Sequence, residues 1–116
     1  MRILLLGSGA REHAMANKIK QSPLCENLYI SPANAGMKDL GECLNLGNEF
    51  ENIKNFAVER SIDMLVVGNE QPLVEGIADS FANDPRTSRI TVIGPKKAAA
   101  MLEGSKDFAK HFMFKY

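Results

Sequence analysis

The sequence is short of cysteine, of net charge and of long apolar runs, and each shortage removes a class of protein. Two cysteines, Cys25 and Cys43, are too few for a disulfide framework. They fit a reducing cytoplasm, where cysteine usually serves as a small buried hydrophobe. Lys plus Arg and Asp plus Glu number 14 each, so the basic excess of a nucleic-acid binder is missing. No apolar run reaches the roughly 18 residues that suggest a membrane span. The N-terminal run Ile3–Leu6 is shorter than the apolar region of a signal peptide, about 7–15 residues, and reads as a buried strand. Neither nucleic acid nor a membrane is an expected partner. His13, His111, Cys25 and Cys43 lack metal-ligand spacing, so no zinc site is expected. GxSxG, HExxH and Walker A patterns are also missing.

What is present is an alternation of strand-like and helix-like segments. At 116 residues and 45% hydrophobic, the chain suits one domain with a sizeable core. Strands are expected at Arg2–Leu6, Asn27–Ile30, Glu42–Asn45, Met64–Val67 and Ile90–Ile93. Helices are expected at Glu12–Gln21, with Ala14, Met15 and Ile19 inward, and at Phe50–Arg60, with Ile53, Phe56 and Ala57 inward. A further helix is expected at Leu73–Ala82, with Leu73, Ile77, Ala78 and Phe81 inward, and a final helical region over Lys96–Leu102 and Ser105–Tyr116. The pattern implies an α/β, Rossmann-like open parallel sheet of about five strands with helices on both faces. Ligands of such sheets sit at the carboxyl ends of the strands. The loops Gly7–Arg11, Ser31–Gly36 and Gly68–Pro72 all leave strands at that edge, and Gly94-Pro95 is a fourth.

The first of these loops, in MRILLLGSGAREHAM, begins as a nucleotide-binding strand–loop–helix does. Gly7 and Gly9 permit a tight turn, and the helix that follows offers free N–H groups and a positive dipole end to an anion. Arg11 adds a bidentate donor, although it would equally pair with Glu12 or another carboxylate. A dinucleotide fingerprint, however, needs a third glycine where Glu12 stands. It also needs an acidic residue about 20 positions on, and the second strand ends Tyr29-Ile30-Ser31-Pro32 without one. A phosphate grip and a bare tight turn both remain open. Glu70, just past the fourth strand, has a carboxylate suited to vicinal ribose hydroxyls and reads equally as an exposed loop residue. His13 reads as a packing residue of the first helical turn, not as an acid–base group. Phe108, Phe112 and Met113 read as a core or interface stripe.

Taken together, these segments resemble the glycinamide ribonucleotide synthetase (phosphoribosylamine–glycine ligase) family. The family's GxGGREHAL is similar to Gly7 through Met15, and its PGNAG to Ser31 through Gly36. Its VVGPExPLVxGIxDxF is similar to Val66 through Phe81, and its GPxxxAAxLEGSKxFxKxFMxKY to Gly94 through Tyr116. The chain departs from the pattern at Ala10 and Ala33, both usually Gly, and at Asn69, usually Pro before Glu70; the last departure should loosen that loop.

The resemblance implies the pre-ATP-grasp domain of a cytoplasmic, ATP-dependent ligase of purine biosynthesis. Its substrates would be 5-phosphoribosylamine, glycine and ATP, with Mg²⁺ or Mn²⁺. It further implies a phosphoribosylamine-side domain over residues 1–104, with 105–116 starting the connection to an absent ATP-grasp domain. Alone, the chain would be inactive. On the family pattern the substrate-binding residues are Gly9, Ala10 and Arg11 at the phosphate, Glu70 at the ribose, and Asn34 and Gly36 in the adjacent loop. Lys106 would stand near the ATP phosphates, and the metal ligands would lie beyond Tyr116. The competing readings are a free-standing dinucleotide-binding module, disfavoured by Glu12, another ATP-grasp enzyme, and a pure interaction domain.

Overall fold

The computed structural model describes residues 1–97. The strands are β1 (Arg2–Gly7), β2 (Asn27–Pro32), β3 (Glu42–Cys43), β4 (Met64–Val67) and β5 (Thr91–Ile93). They form one parallel sheet in the order β3-β2-β1-β4-β5. The expected α/β, Rossmann-like architecture is therefore present. The strand order reverses between β1 and β4, which places a crevice outside their carboxyl ends.

The helices are α1 (Ala10–Gln21), α2 (Phe50–Glu59), α3 (Gln71–Val74) and α4 (Ile77–Ala82), with a 3₁₀ turn at Ala35–Met37. Alternation along β1 divides the core in two. Ile3 and Leu5 face Met15, Ala16 and Ile19 of α1, while Leu4 and Leu6 face Ile53, Phe56 and Ala57 of α2 and Ile77 and Phe81 of α4. Both faces of β1 are covered, which is why its sequence reads as an unbroken apolar run.

Several local expectations change. In α1 the buried positions are Glu12, Met15, Ala16 and Ile19, and Ala14 is exposed. That set follows the i, i+3, i+4, i+7 stripe of one helix face, and Ala14 lies off it. The expected helix Leu73–Ala82 is two helices, because Gly76 adopts φ 94° and ends α3 in a left-handed cap. Ala78 consequently points outward, while Ile77 and Phe81 stay buried. β3 is two residues long, shorter than the expected Glu42–Asn45. Leu44 N–H still donates to the Ile30 carbonyl at 3.0 Å. β2 runs on to Pro32, so the loop expected from Ser31 starts later, at Ala33, with φ 64°. The final helical region, apart from Lys96 and Lys97, lies outside the described residues, as do the Ser105 cap, the Phe108, Phe112 and Met113 stripe and the proposed boundary at 104–105. No helix among the described residues is long and apolar enough to cross a membrane.

A charged cluster ties α2 to the turn after α4. Arg86 Nη2 lies 2.8 Å from Asp84 Oδ2 and 2.9 Å from Glu51 Oε1, and Lys54 Nζ lies 3.3 Å from Asp84 Oδ2. Hydrogen bonds from the Arg86 side chain and backbone hold the Asp84 carboxyl far below the usual carboxylate range, against a smaller opposing push from desolvation. Hydrogen bonding to Arg86 likewise lowers Glu51. A carboxyl depressed in the folded state stabilises it above the unfolded pKa and loses that contribution as pH falls toward the folded value. Thermal stability should therefore decline on acidification below about pH 4, the ordinary Asp range. In Asp84→Asn this acid limb should be shallower. Superimposable pH profiles of midpoint temperature for the two proteins would show that the cluster has no part in it.

Candidate functional site

A cleft of about 390 Å³ opens at the carboxyl edge of the sheet, a volume within the usual range of small-molecule sites. Gly7, Ser8, Gly9 and Glu12 form its floor on the β1 side. Ser31 and Pro32 come from the end of β2, and Asn48 and Phe50 from the entry to α2. Asn69, Gln71 and Glu75 form the wall after β4. The lining is thus drawn from four chain segments that the sheet order brings to one edge.

The glycine loop is held from outside. Asn34 Nδ2 donates to the Ser8 carbonyl at 2.6 Å, and Asn34 Oδ1 accepts from Gly36 N–H at 2.9 Å. Ala33 N–H donates to the Gly7 carbonyl at 3.1 Å. A side chain at Gly36 would press on His13, with Cε1 3.0 Å from the position of the missing Cβ. Asn34, Gly36 and His13 therefore form a brace behind the loop, and none of the three lines the cleft. The His13 ring is thus half-buried beside Gly36.

Glu12 is placed as the sequence alone did not foresee. It is 7% exposed, and its side chain passes over both Gly7 and Gly68. A Cβ on Gly7 would stand 2.6 Å from Glu12 Oε1, and one on Gly68 would stand 3.0 Å from Glu12 Cδ and 2.6 Å from the Leu6 carbonyl oxygen. A dinucleotide fold makes room at this junction by removing the side chain from the helix. Here the room is made at the ends of two strands, by Gly7 closing β1 and Gly68 just after β4, and a helix carboxylate fills it. Glu12 makes no ion pair with Arg11.

The other expected site residues divide. Gly9 lines the cleft, whereas Ala10 and Arg11 lie exposed on the outer side of the first turn of α1. Glu70 is exposed at the N-terminus of α3, flanked by the cleft residues Asn69 and Gln71 but not lining the cleft itself. Asn69 Oδ1 accepts from Gln71 N–H at 3.1 Å, so this loop is tied by a side chain where the family pattern has a proline ring. Lys106 lies outside the described residues. Sequence reasoning passed over Asn48 and Phe50. The Gly47-Asn48 pair after β3 was the available signal, since turns that leave strands at this edge supply ligand contacts.

Comparison with known proteins identifies the family. The model of the family described as phosphoribosylglycinamide synthetase, N domain, matches residues 1–103. A phosphoribosylamine–glycine ligase from Caldanaerobacter subterraneus subsp. tengcongensis is 49% identical over the whole chain, which covers 27% of that protein. One from Mesorhizobium japonicum is 49% identical with the same coverage, and one from Fusobacterium nucleatum is 44% identical with 26% of its length covered. The chain thus spans about a quarter of the length of these curated relatives. With a match over nearly its full length, this chain belongs to the phosphoribosylglycinamide synthetase N-domain family.

Proposed function

We propose that the chain is the phosphoribosylamine-side domain of an ATP-dependent ligase of purine biosynthesis. The whole enzyme joins glycine to 5-phosphoribosylamine and releases glycinamide ribonucleotide, ADP and phosphate. The observation that carries this reading is the family match over residues 1–103. In the reaction, glycine's carboxylate takes the terminal phosphoryl group of ATP to give glycyl phosphate. The sugar amine then attacks the acyl carbon and phosphate leaves. ATP and Mg²⁺ are held mainly by ATP-grasp lobes elsewhere in the polypeptide, with Lys106 close to the ATP phosphates. The work of this domain is to bind and orient the sugar phosphate at the carboxyl edge of its sheet. Separated from those lobes it does not turn over, and the enzyme works in the cytoplasm.

The side chains of Arg11 and Glu70 have no hydrogen-bond or ion-pair partner among the described residues, so both are available to a ligand. A charged hydrogen bond contributes about 1.5–3 kcal/mol, or roughly 10- to 100-fold in binding. In the full-length enzyme, Arg11→Ala and Glu70→Ala should each raise KM for phosphoribosylamine by about tenfold or more. Unchanged kinetics in both would remove these side chains from the site.

The function itself is tested by following ADP release from the full-length protein with ATP, Mg²⁺, glycine and freshly generated phosphoribosylamine, each omitted in turn. Release that needs both glycine and the amine is the expected result. Release without glycine would assign the polypeptide to another reaction.

A further inference from the structure

Glu12 presents a buried carboxylate at the switch point of the sheet. It is 7% exposed, it lines the cleft, and it has no hydrogen-bond or ion-pair partner among the described residues. A buried charge without a partner is costly and is usually retained only where something completes it. Its position is also built on both sides. Gly7, at the end of β1, and Gly68, just after β4, each leave space that a Cβ would take from it, and its Oε2 lies 3.0 Å from where a Cβ of Gly9 would stand.

We infer that the Glu12 carboxylate accepts hydrogen bonds from the donor end of the bound ligand, its sugar hydroxyl or amino groups, and that the ligand's phosphate stays on the outer side of the glycine loop. The inference rests on the proposed sugar-phosphate substrate and adds its orientation. An ionised carboxylate has only acceptors, so it selects donors. A phosphate on the inner face of Gly7–Gly9 would meet a like charge at short range. Outside the cleft stands the exposed Arg11 guanidinium, which has no ion-pair partner among the described residues and suits an anion. The ligand then spans the loop, with its hydroxyl or amino end over Glu12 and its anionic end toward Arg11.

Glu12→Gln in the full-length enzyme tests this, because the amide keeps the volume and removes the charge. If Glu12 serves the ligand, KM for phosphoribosylamine rises by about tenfold or more while KM for glycine and for ATP stays put. The thermal midpoint is unchanged or higher, since an unpaired buried charge has gone. Ribose 5-phosphate, titrated calorimetrically as a probe that needs no turnover, binds the variant about tenfold more weakly than the parent. A bracing role for Glu12 gives the opposite signature, a lowered midpoint or a misfolded variant with all three KM values moving together, and overturns the inference. Unchanged KM and unchanged ribose 5-phosphate affinity overturn it too. If the parent protein binds ribose 5-phosphate through Glu12 but shows no glycine-dependent ADP release, the proposed reaction fails and the role of Glu12 stands. A parent that neither turns over nor binds ribose 5-phosphate overturns both.

Discussion

Gly68→Ala should destabilise the domain by about 3 kcal/mol, at the upper end of overpacking costs. Gly68 follows β4, and its N–H donates to the Leu6 carbonyl at 2.8 Å. A methyl group there would stand 2.6 Å from that same carbonyl oxygen and would also press into the Glu12 side chain. The oxygen belongs to the central strand, so relief means parting β1 from β4 at the switch point. Gly7→Ala differs in kind. The three heavy atoms nearest its methyl would all belong to Glu12, with Oε1 at 2.6 Å and Cδ at 2.7 Å, although φ 146° adds strain for any side chain. Pairing each variant with Glu12→Ala separates the two clashes. The second substitution should recover most of the steric cost at Gly7 and only part of it at Gly68, as read in a double-mutant cycle from urea unfolding. Full recovery at Gly68 would mean that the Leu6 carbonyl is not the obstacle.

Phe81→Ala should cost about 3–5 kcal/mol, the usual range for deleting a buried phenyl ring. Phe81 is fully buried in the core layer that also holds Ile53, Phe56, Ile77 and Val67. Its carbonyl accepts from the Thr87 hydroxyl at 2.7 Å, which fixes the end of α4 against the turn that follows. A loss of that size is a large share of the roughly 5–15 kcal/mol that holds a domain folded. The damage should also reach the cleft. α4 anchors α3 across the Gly76 bend, and α3 carries Gln71 beside the cleft residues Asn69 and Glu75. Amide exchange over residues 69–76 should accelerate more than over α1, which packs in the other core layer. Uniform acceleration would show that the two layers open together.

Local pattern carried most of the fold. The apolar run of β1, the DMLVVG segment around β4 and the helical spacing of Ile53, Phe56 and Ala57 are each explained by neighbours within a few residues, and all three elements form where expected. Gly76 was visible in the middle of a ten-residue apolar pattern, and its left-handed conformation breaks that helix; a glycine in that position was a signal to weigh against periodicity. Ala33, where the family pattern has glycine, adopts φ 64° despite its side chain, because its N–H is held by the Gly7 carbonyl.

The sequence by itself determined the parallel α/β architecture, the edge at which the loops gather, and the failure of the dinucleotide fingerprint at Glu12. It did so because hydrophobic periodicity and turn chemistry act over short stretches of chain. Only the tertiary structure decided what Glu12 does with its side chain, why Gly68 is glycine, that Asn34 braces the loop, and that Asn48 and Phe50 reach the cleft while Glu70 stays at its rim. The placement of Glu12 and the need for glycine at 68 depend on the gap left where β1, β4 and α1 meet. The gap is set by residues about 60 positions apart in the chain, whose contact no local pattern encodes.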